Sequence, residues 1–219
     1  MAMRYTTQAI VCLAGNLAQV AQALQQKRVI EGDLEKTISG TRQIAATIHY
    51  HPNLNGLPNF FQTRDDGTGG FRLIIVGHGN PESTAIMGTN IQWGPAELSR
   101  NVGVWVGGRT INRICLHMCF GGGNPLGRAA APMPVPVERS FAMEFAGACQ
   151  YTRSVTARTD LVNLEIATTP QPGVPRDQWP VNSVHRTVGG QVKQRGTINK
   201  WVFERQPGGA VTYWASAPG

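Results

Sequence analysis

Phe71-Arg-Leu-Ile-Ile-Val-Gly-His78-Gly79 is the stretch on which the fold turns. Its four consecutive aliphatic residues, Leu73 to Val76, predict a strand apolar on both faces, the pattern of a strand inside a parallel sheet. The run stops at His78-Gly79-Asn80-Pro81, where Gly, Asn and Pro signal a turn. A second strand, predicted from Ile111 to Met118, runs into Cys119-Phe120 and three glycines. Two buried strands thus each deliver a reactive side chain beside glycine.

Working outward, Tyr5 to Leu13 reads as a strand, Gly15-Asn16 as a turn, and Leu17, Val20, Ala21 and Leu24 recur at helical spacing. Leu34, Ile38 and Ile44-Ala45 suit a second amphipathic helix within Glu31 to Ile48, broken or ended near Gly40, and residues 51–70 read as loop. Pro95-Ala-Glu-Leu opens a short helix, because proline is tolerated in a first turn and an acidic residue suits the helix's positive end. Pro125, Pro132, Pro134 and Pro136 impose an extended exposed loop. From Glu138 to Cys149 the helical period returns, with Phe141, Phe145 and Ala148 on one stripe. Ser154 to Arg158 and Leu161 to Ala167 read as strands. After a proline-rich connection over 169–180, a hairpin joins Trp201-Val-Phe203 to Val211-Thr-Tyr-Trp214 through Pro207-Gly-Gly209. The order predicts an α/β fold: a mainly parallel sheet flanked by helices, with a C-terminal β-hairpin as an antiparallel appendage.

A chain of 219 residues suits one domain. Its 41% hydrophobic and 15% charged residues exclude a coiled coil or a disordered chain. Cys12, Cys115, Cys119 and Cys149 lack framework spacing, which favours free thiols. No apolar run approaches the roughly 20 residues of a membrane span, and no convincing cleavage site follows the N-terminal segment. Residues 1–100 carry 8 basic and 7 acidic side chains, residues 101–219 carry 12 and 6, so an anionic partner meets the second half. The basic pI comes with no aromatic-interleaved motif, and nucleic acid is not assigned as a partner.

In open α/β sheets, sites form in the crevice beyond the carboxyl ends of the strands, where Cys119 and His78 could meet. A thiolate is a nucleophile, and an imidazole can deprotonate the thiol and then protonate a leaving amine. The backbone amides of Gly79 and Cys119 are assigned to an oxyanion hole. The bland alternative is a buried cysteine and a turn histidine. Cys115, His117 and Cys119 alternate along one strand, spanning roughly 13 Å, too far to wrap one metal ion. His117 is a rival base, poorly placed two residues along the same strand. His49 and His51 are a weak metal signal, and no metal site is assigned. Gly122 to Ala129 lacks the Lys and Ser/Thr of a phosphate-binding loop.

At the two strand ends the chain resembles the caspase-like, clan CD cysteine peptidases, and most of all the cysteine protease domain that autoprocesses MARTX and large glucosylating toxins. The likeness runs through Gln8-Ala-Ile-Val-Cys-Leu, Arg72-Leu-Ile-Ile-Val-Gly-His-Gly, Trp93-Gly-Pro-Ala-Glu-Leu, Arg113-Ile-Cys-Leu-His-Met-Cys and Ser154-Val-Thr-Ala-Arg-Thr-Asp-Leu. The resemblance implies a single caspase-like domain over 1–219, with a catalytic core at 1–168 and a proline-rich connection and β-flap at 169–219. It implies a cysteine endopeptidase acting on protein or peptide substrates with no cofactor for catalysis. It further implies activation by inositol hexakisphosphate, for which Arg176, Arg186, Lys193, Arg195, Lys200 and Arg205 form the expected cradle. Little chain precedes the first strand, so a secreted bacterial effector, a toxin or virulence protein acting on another protein in host cytosol, is expected rather than a self-cleaving domain. The alternative is an inactive module of the same fold that binds an anion or a host protein.

Overall fold

A computed structural model describes residues 5–13, 46–51, 53–54, 57–58, 70–127, 133–160, 162–168, 172–173, 181–188, 191–192 and 200–216. In chain order the strands are β1 (Tyr5–Cys12), β2 (Ala46–Tyr50), β3 (Gly70–Val76), β4 (His78–Gly79), β5 (Ile86–Gly88), β6 (Ile91–Trp93) and β7 (Ile111–His117). They continue with β8 (Thr152–Arg158), β9 (Val162–Thr168), β10 (Val181–Val188), β11 (Gln191–Val192), β12 (Lys200–Arg205) and β13 (Val211–Ala215). The helices are α1 (Pro95–Trp105) and α2 (Phe141–Ala148), the latter preceded by a 3-10 turn at Val137–Arg139. The expected helix over residues 17–24, and most of the one expected after Glu31, lie outside the described residues.

The central sheet has seven strands in the order β13-β12-β8-β7-β3-β1-β2. From β2 to β8 every pairing is parallel, and β12 and β13 are antiparallel. The fold is therefore α/β with a mostly parallel central sheet, and the two helices among the described residues pack on one of its faces. Two small antiparallel sheets accompany it, β4-β5-β6 immediately after β3 and β9-β10-β11 after β8. No helix among the described residues is long and apolar enough to cross a membrane.

The two faces of the sheet differ. Leu73, Ile75, Ile114, Leu116, Val155, Ala157 and Phe203 project to the face covered by α1 and α2, which bury Leu98, Val102, Trp105, Phe141 and Phe145 against them. Each such side chain contributes about 1.5–3 kcal/mol of burial. Leu54 and Leu57, from the predicted loop, join this core. The opposite face holds a smaller apolar cluster of Ile10, Cys12, Ile74, Val76 and Cys115. α1 starts with Pro at its first turn after Gly94, and α2 is capped by the buried Ser140, whose hydroxyl accepts from the Met143 N–H at 3.2 Å.

Three points refine the expectations. Residues 46–48, the end of the Glu31 to Ile48 stretch, belong to β2, where the β-branched pair Thr47-Ile48 pairs with β1; the helix expected on Leu34, Ile38 and Ile44-Ala45 lies outside the described residues. Ala148 is exposed, and Ala142, Ala146 and Cys149 are buried with Phe141 and Phe145, because the buried stripe is centred one residue further round the helix and leaves Ala148 at its edge. The C-terminal hairpin is no appendage: β12 pairs with β8 from Lys200↔Arg158 to Glu204↔Ser154, completing the central sheet.

Candidate active site and a basic cavity

β3 and β7 run in parallel register from Arg72↔Arg113 to Val76↔His117, and the Gly77 N–H donates to the His117 carbonyl at 3.2 Å. His78 and Cys119 each stand two residues past that last pair, so the two strands deliver them to the same edge of the sheet. Gly79 then packs against the backbone of Cys119: a Cβ there would lie 1.9 Å from the Cys119 carbonyl oxygen. No side chain fits at 79, and this requirement explains the glycine.

His78 is exposed to solvent on one side, and partial burial of its ring pushes the imidazole below its ordinary value, which favours the neutral base. The four cysteines are free thiols. Cys12, Cys115 and Cys149 are buried, and Cys119 alone is partly exposed. A nucleophile must be reached by substrate, and of the four only Cys119 meets that condition.

The chain after Cys119 is bent tightly. Phe120, buried to 1% exposure, has φ of +52°, a conformation costly for a non-glycine residue. Its N–H donates to the Asp160 carbonyl at 3.3 Å, and the Gly122 N–H donates to the Arg158 carbonyl at 2.7 Å, so the end of β8 holds the turn. Gly123, at φ +103°, passes so close to the Val135 carbonyl that a Cβ would sit 2.9 Å from it. Asn124 is fully buried, forms a two-way backbone bridge with Val135, and donates through its side chain to the Pro81 carbonyl at 3.2 Å. Thus the glycine run and the proline-rich loop brace the histidine loop.

That histidine loop has its own frame. The Asn80 side-chain oxygen accepts from the N–H groups of Thr84 and Ala85 at 2.9 and 3.2 Å, closing the loop on itself. Within it Ser83 is buried, with φ of +54°. Its hydroxyl donates to the Phe120 carbonyl at 2.5 Å and accepts from the Phe141 N–H at 3.0 Å. Sequence reading missed Ser83, because one serine in a turn carries no pattern.

On the sheet face opposite the helices, successive strands contribute polar residues at alternate positions. A cavity of about 130 Å³ is lined there by Arg72, Cys115, His117, Thr156, Arg158 and Lys200 together with apolar neighbours, with no carboxylate in its lining among the described residues. Arg158 is only 9% exposed, and the buried Arg72 Nε finds no hydrogen-bond partner among the described residues. Burial pushes the Lys200 ammonium below its ordinary value; the Cys115 sulfur opposes this, and the charges of Arg158, Arg113 and Arg72 add to it. A cluster of like charges with low solvent access is an anion-binding environment. His117 lines this cavity, which gives it a role apart from the rival base considered above.

Of the expected cradle, Lys200 reaches the cavity. Arg205 does not join it: five residues along β12 carry it roughly 16 Å away and onto the other face. Arg186 lies in β10, in the separate three-stranded sheet. Arg176, Lys193 and Arg195 lie outside the described residues. The partners Lys200 does meet, Arg72 and Arg158, come from core strands.

No protein-family model matches the chain, and no curated protein matches it significantly.

Proposed function

We propose that the chain is a cysteine endopeptidase of caspase-like architecture, with Cys119 as nucleophile and His78 as acid and base. The single observation that carries this reading is the meeting of Gly79 and Cys119 at adjacent parallel strand ends, where the one partly exposed thiol and a neutral-biased imidazole come to the same edge. His78 takes the thiol proton as the sulfur attacks the scissile carbonyl carbon. The amides of Gly79 and Cys119 stabilise the oxyanion. His78 returns the proton to the leaving amine as the C–N bond breaks, leaving a thioester. Water, deprotonated by His78, then attacks the thioester; the C–S bond breaks and the sulfur recovers its proton.

The substrate class is protein or peptide, and the setting is that of a secreted bacterial effector or toxin in host cytosol, following the resemblance at the strand ends. Inositol hexakisphosphate is the proposed activator. Arg72, Arg158 and Lys200 line the cavity together and carry donors of the kind a phosphate group requires. A second reading, an inactive module that binds an anion, is favoured by that same cavity, which owes nothing to Cys119.

The test is reaction with a thiol-directed peptide electrophile, with and without inositol hexakisphosphate, and location of the adduct by mass spectrometry. Selective modification of Cys119, increased by the polyphosphate, supports peptidase and activator together. Modification independent of it leaves the peptidase alone, and an unreactive Cys119 leaves the binding module.

A further inference from the structure

We propose that Ser83 is a positioning residue that couples the turn carrying Cys119 to the N-terminus of α2. This rests on the reading of Cys119 as the nucleophile and adds a determinant of its reactivity outside the Cys-His pair. The argument begins with two buried non-glycine residues at positive φ, Ser83 at +54° and Phe120 at +52°, joined by a hydrogen bond. Strain of this kind persists only where the surroundings enforce it. Here the enforcement is a relay in which the Phe141 N–H donates to Ser83 Oγ, and the Ser83 O–H donates to the Phe120 carbonyl. The Gly123 N–H donates to that same carbonyl at 2.9 Å, so the peptide following Phe120 is held on both sides.

Phe141 is the first residue of α2, and its N–H is one of the amides a helix leaves unpaired. The next amide, Ala142 N–H, donates directly to the Gly121 carbonyl at 2.8 Å. Two successive donors at the positive end of α2 therefore converge on the nucleophile turn, one through Ser83 and one directly. Hydrogen bonds in series polarise one another, and a helix N-terminus favours negative charge nearby. The relay fixes the backbone on which the Cys119 sulfur is carried and brings the helix end to bear on its thiolate.

The charged and titratable residues on the segments that meet here are His78 and Glu82 on the histidine loop, His117 on β7, Arg158 and Asp160 at the β8 end, Glu138 and Arg139 in the 3-10 turn, and Glu144 on α2. Substitution at Ser83 changes none of them.

The experiment measures the alkylation rate of Cys119 by iodoacetamide against pH in the wild type, Ser83→Ala and Ser83→Gly, with the adduct located by mass spectrometry and the fold checked by circular dichroism. Ser83→Gly relieves the positive φ while lacking the hydroxyl, so it supplies a folded hydroxyl-free variant should Ser83→Ala fail to fold. The expected result is a pH–rate midpoint displaced upward by about one unit, hence labelling slower by roughly tenfold at neutral pH, in both variants. A folded Ser83→Gly or Ser83→Ala with the wild-type profile overturns the proposal. If wild-type Cys119 labels no faster than Cys12, Cys115 and Cys149, the nucleophile reading itself fails and this inference with it.

Discussion

Gly79 and Cys119 are in backbone contact: the space a Cβ would need at 79 is filled by the Cys119 carbonyl oxygen, 1.9 Å from the ideal Cβ position. The two residues sit on neighbouring strand ends, so any side chain at 79 must push the histidine loop and the nucleophile turn apart. Gly79→Ala is expected to destabilise the fold by ~1–3 kcal/mol, the usual cost of overpacking, and to lower peptide turnover by about 100-fold, the effect of an ångström-scale misplacement. Chemical denaturation and initial-rate measurements read the two effects separately. Wild-type turnover from Gly79→Ala would show that the strand ends need not touch.

Removing either reactive group tests the chemistry directly. Cys119→Ala is expected to abolish turnover, and His78→Ala to reduce it by roughly 10²–10⁴-fold, the usual contribution of a positioned acid-base group. Neither side chain belongs to the main apolar core, so both variants are expected to keep wild-type thermal midpoints. Unchanged turnover in either would sink the assignment.

Acid sensitivity follows from two histidines. Burial pushes the imidazoles of His49 and His78 below their ordinary value. The unfolded chain therefore takes up these protons more readily than the folded one, and stability rises with pH between the folded and unfolded pKa values. The contribution is complete above the unfolded value, about 6.5, and is lost as pH falls below it toward the depressed folded values. Denaturation midpoints at pH 7 and pH 5 should differ less in His49→Gln than in the wild type. An identical difference in both proteins would remove His49 from the account.

The basic cavity predicts a ligand-dependent stability. Lys200 is held below its ordinary pKa, first by burial and then, against the opposing Cys115 sulfur, by neighbouring guanidinium groups. An anion among them would relieve the repulsion. A polyphosphate at 100 times its dissociation constant would add about 2.7 kcal/mol, visible as a raised thermal midpoint. Lys200→Met is expected to raise the midpoint of the ligand-free protein and to shrink the response to inositol hexakisphosphate. An undiminished response would move the anion elsewhere.

Much of the architecture is legible in the sequence because it is written in local pattern. The aliphatic run of Leu73 to Val76, the proline opening α1, and the alternating strands of the C-terminal hairpin each announce themselves over a few residues. Pairing between distant segments leaves no such trace, and for that reason β12 reads as an appendage when it is a partner of β8. The same limit hid the basic cavity. Arg72, Arg158 and Lys200 belong to three separate strands, and only the sheet register sets them side by side. A search for clustered charge along the chain finds the tail instead, where Arg205 alternates to the opposite face from Lys200. Cys119 and His78 could be singled out as candidates because each follows an unmistakable strand. Ser83 could not, since its importance lies in the geometry of two turns far apart in sequence.

The pairing of β12 with β8 also sets an order of events during folding. β1, β2, β3, β7 and β8 can zip together as a parallel unit, yet the outer edge of β8 stays open until a strand from beyond β9, β10 and β11 returns to it. Closing so long a loop is slow. Until it closes, β8 presents an unpaired row of amides and carbonyls to any passing chain. In the folded protein β12 covers that edge, so the row of amides and carbonyls on β8 is paired within the chain.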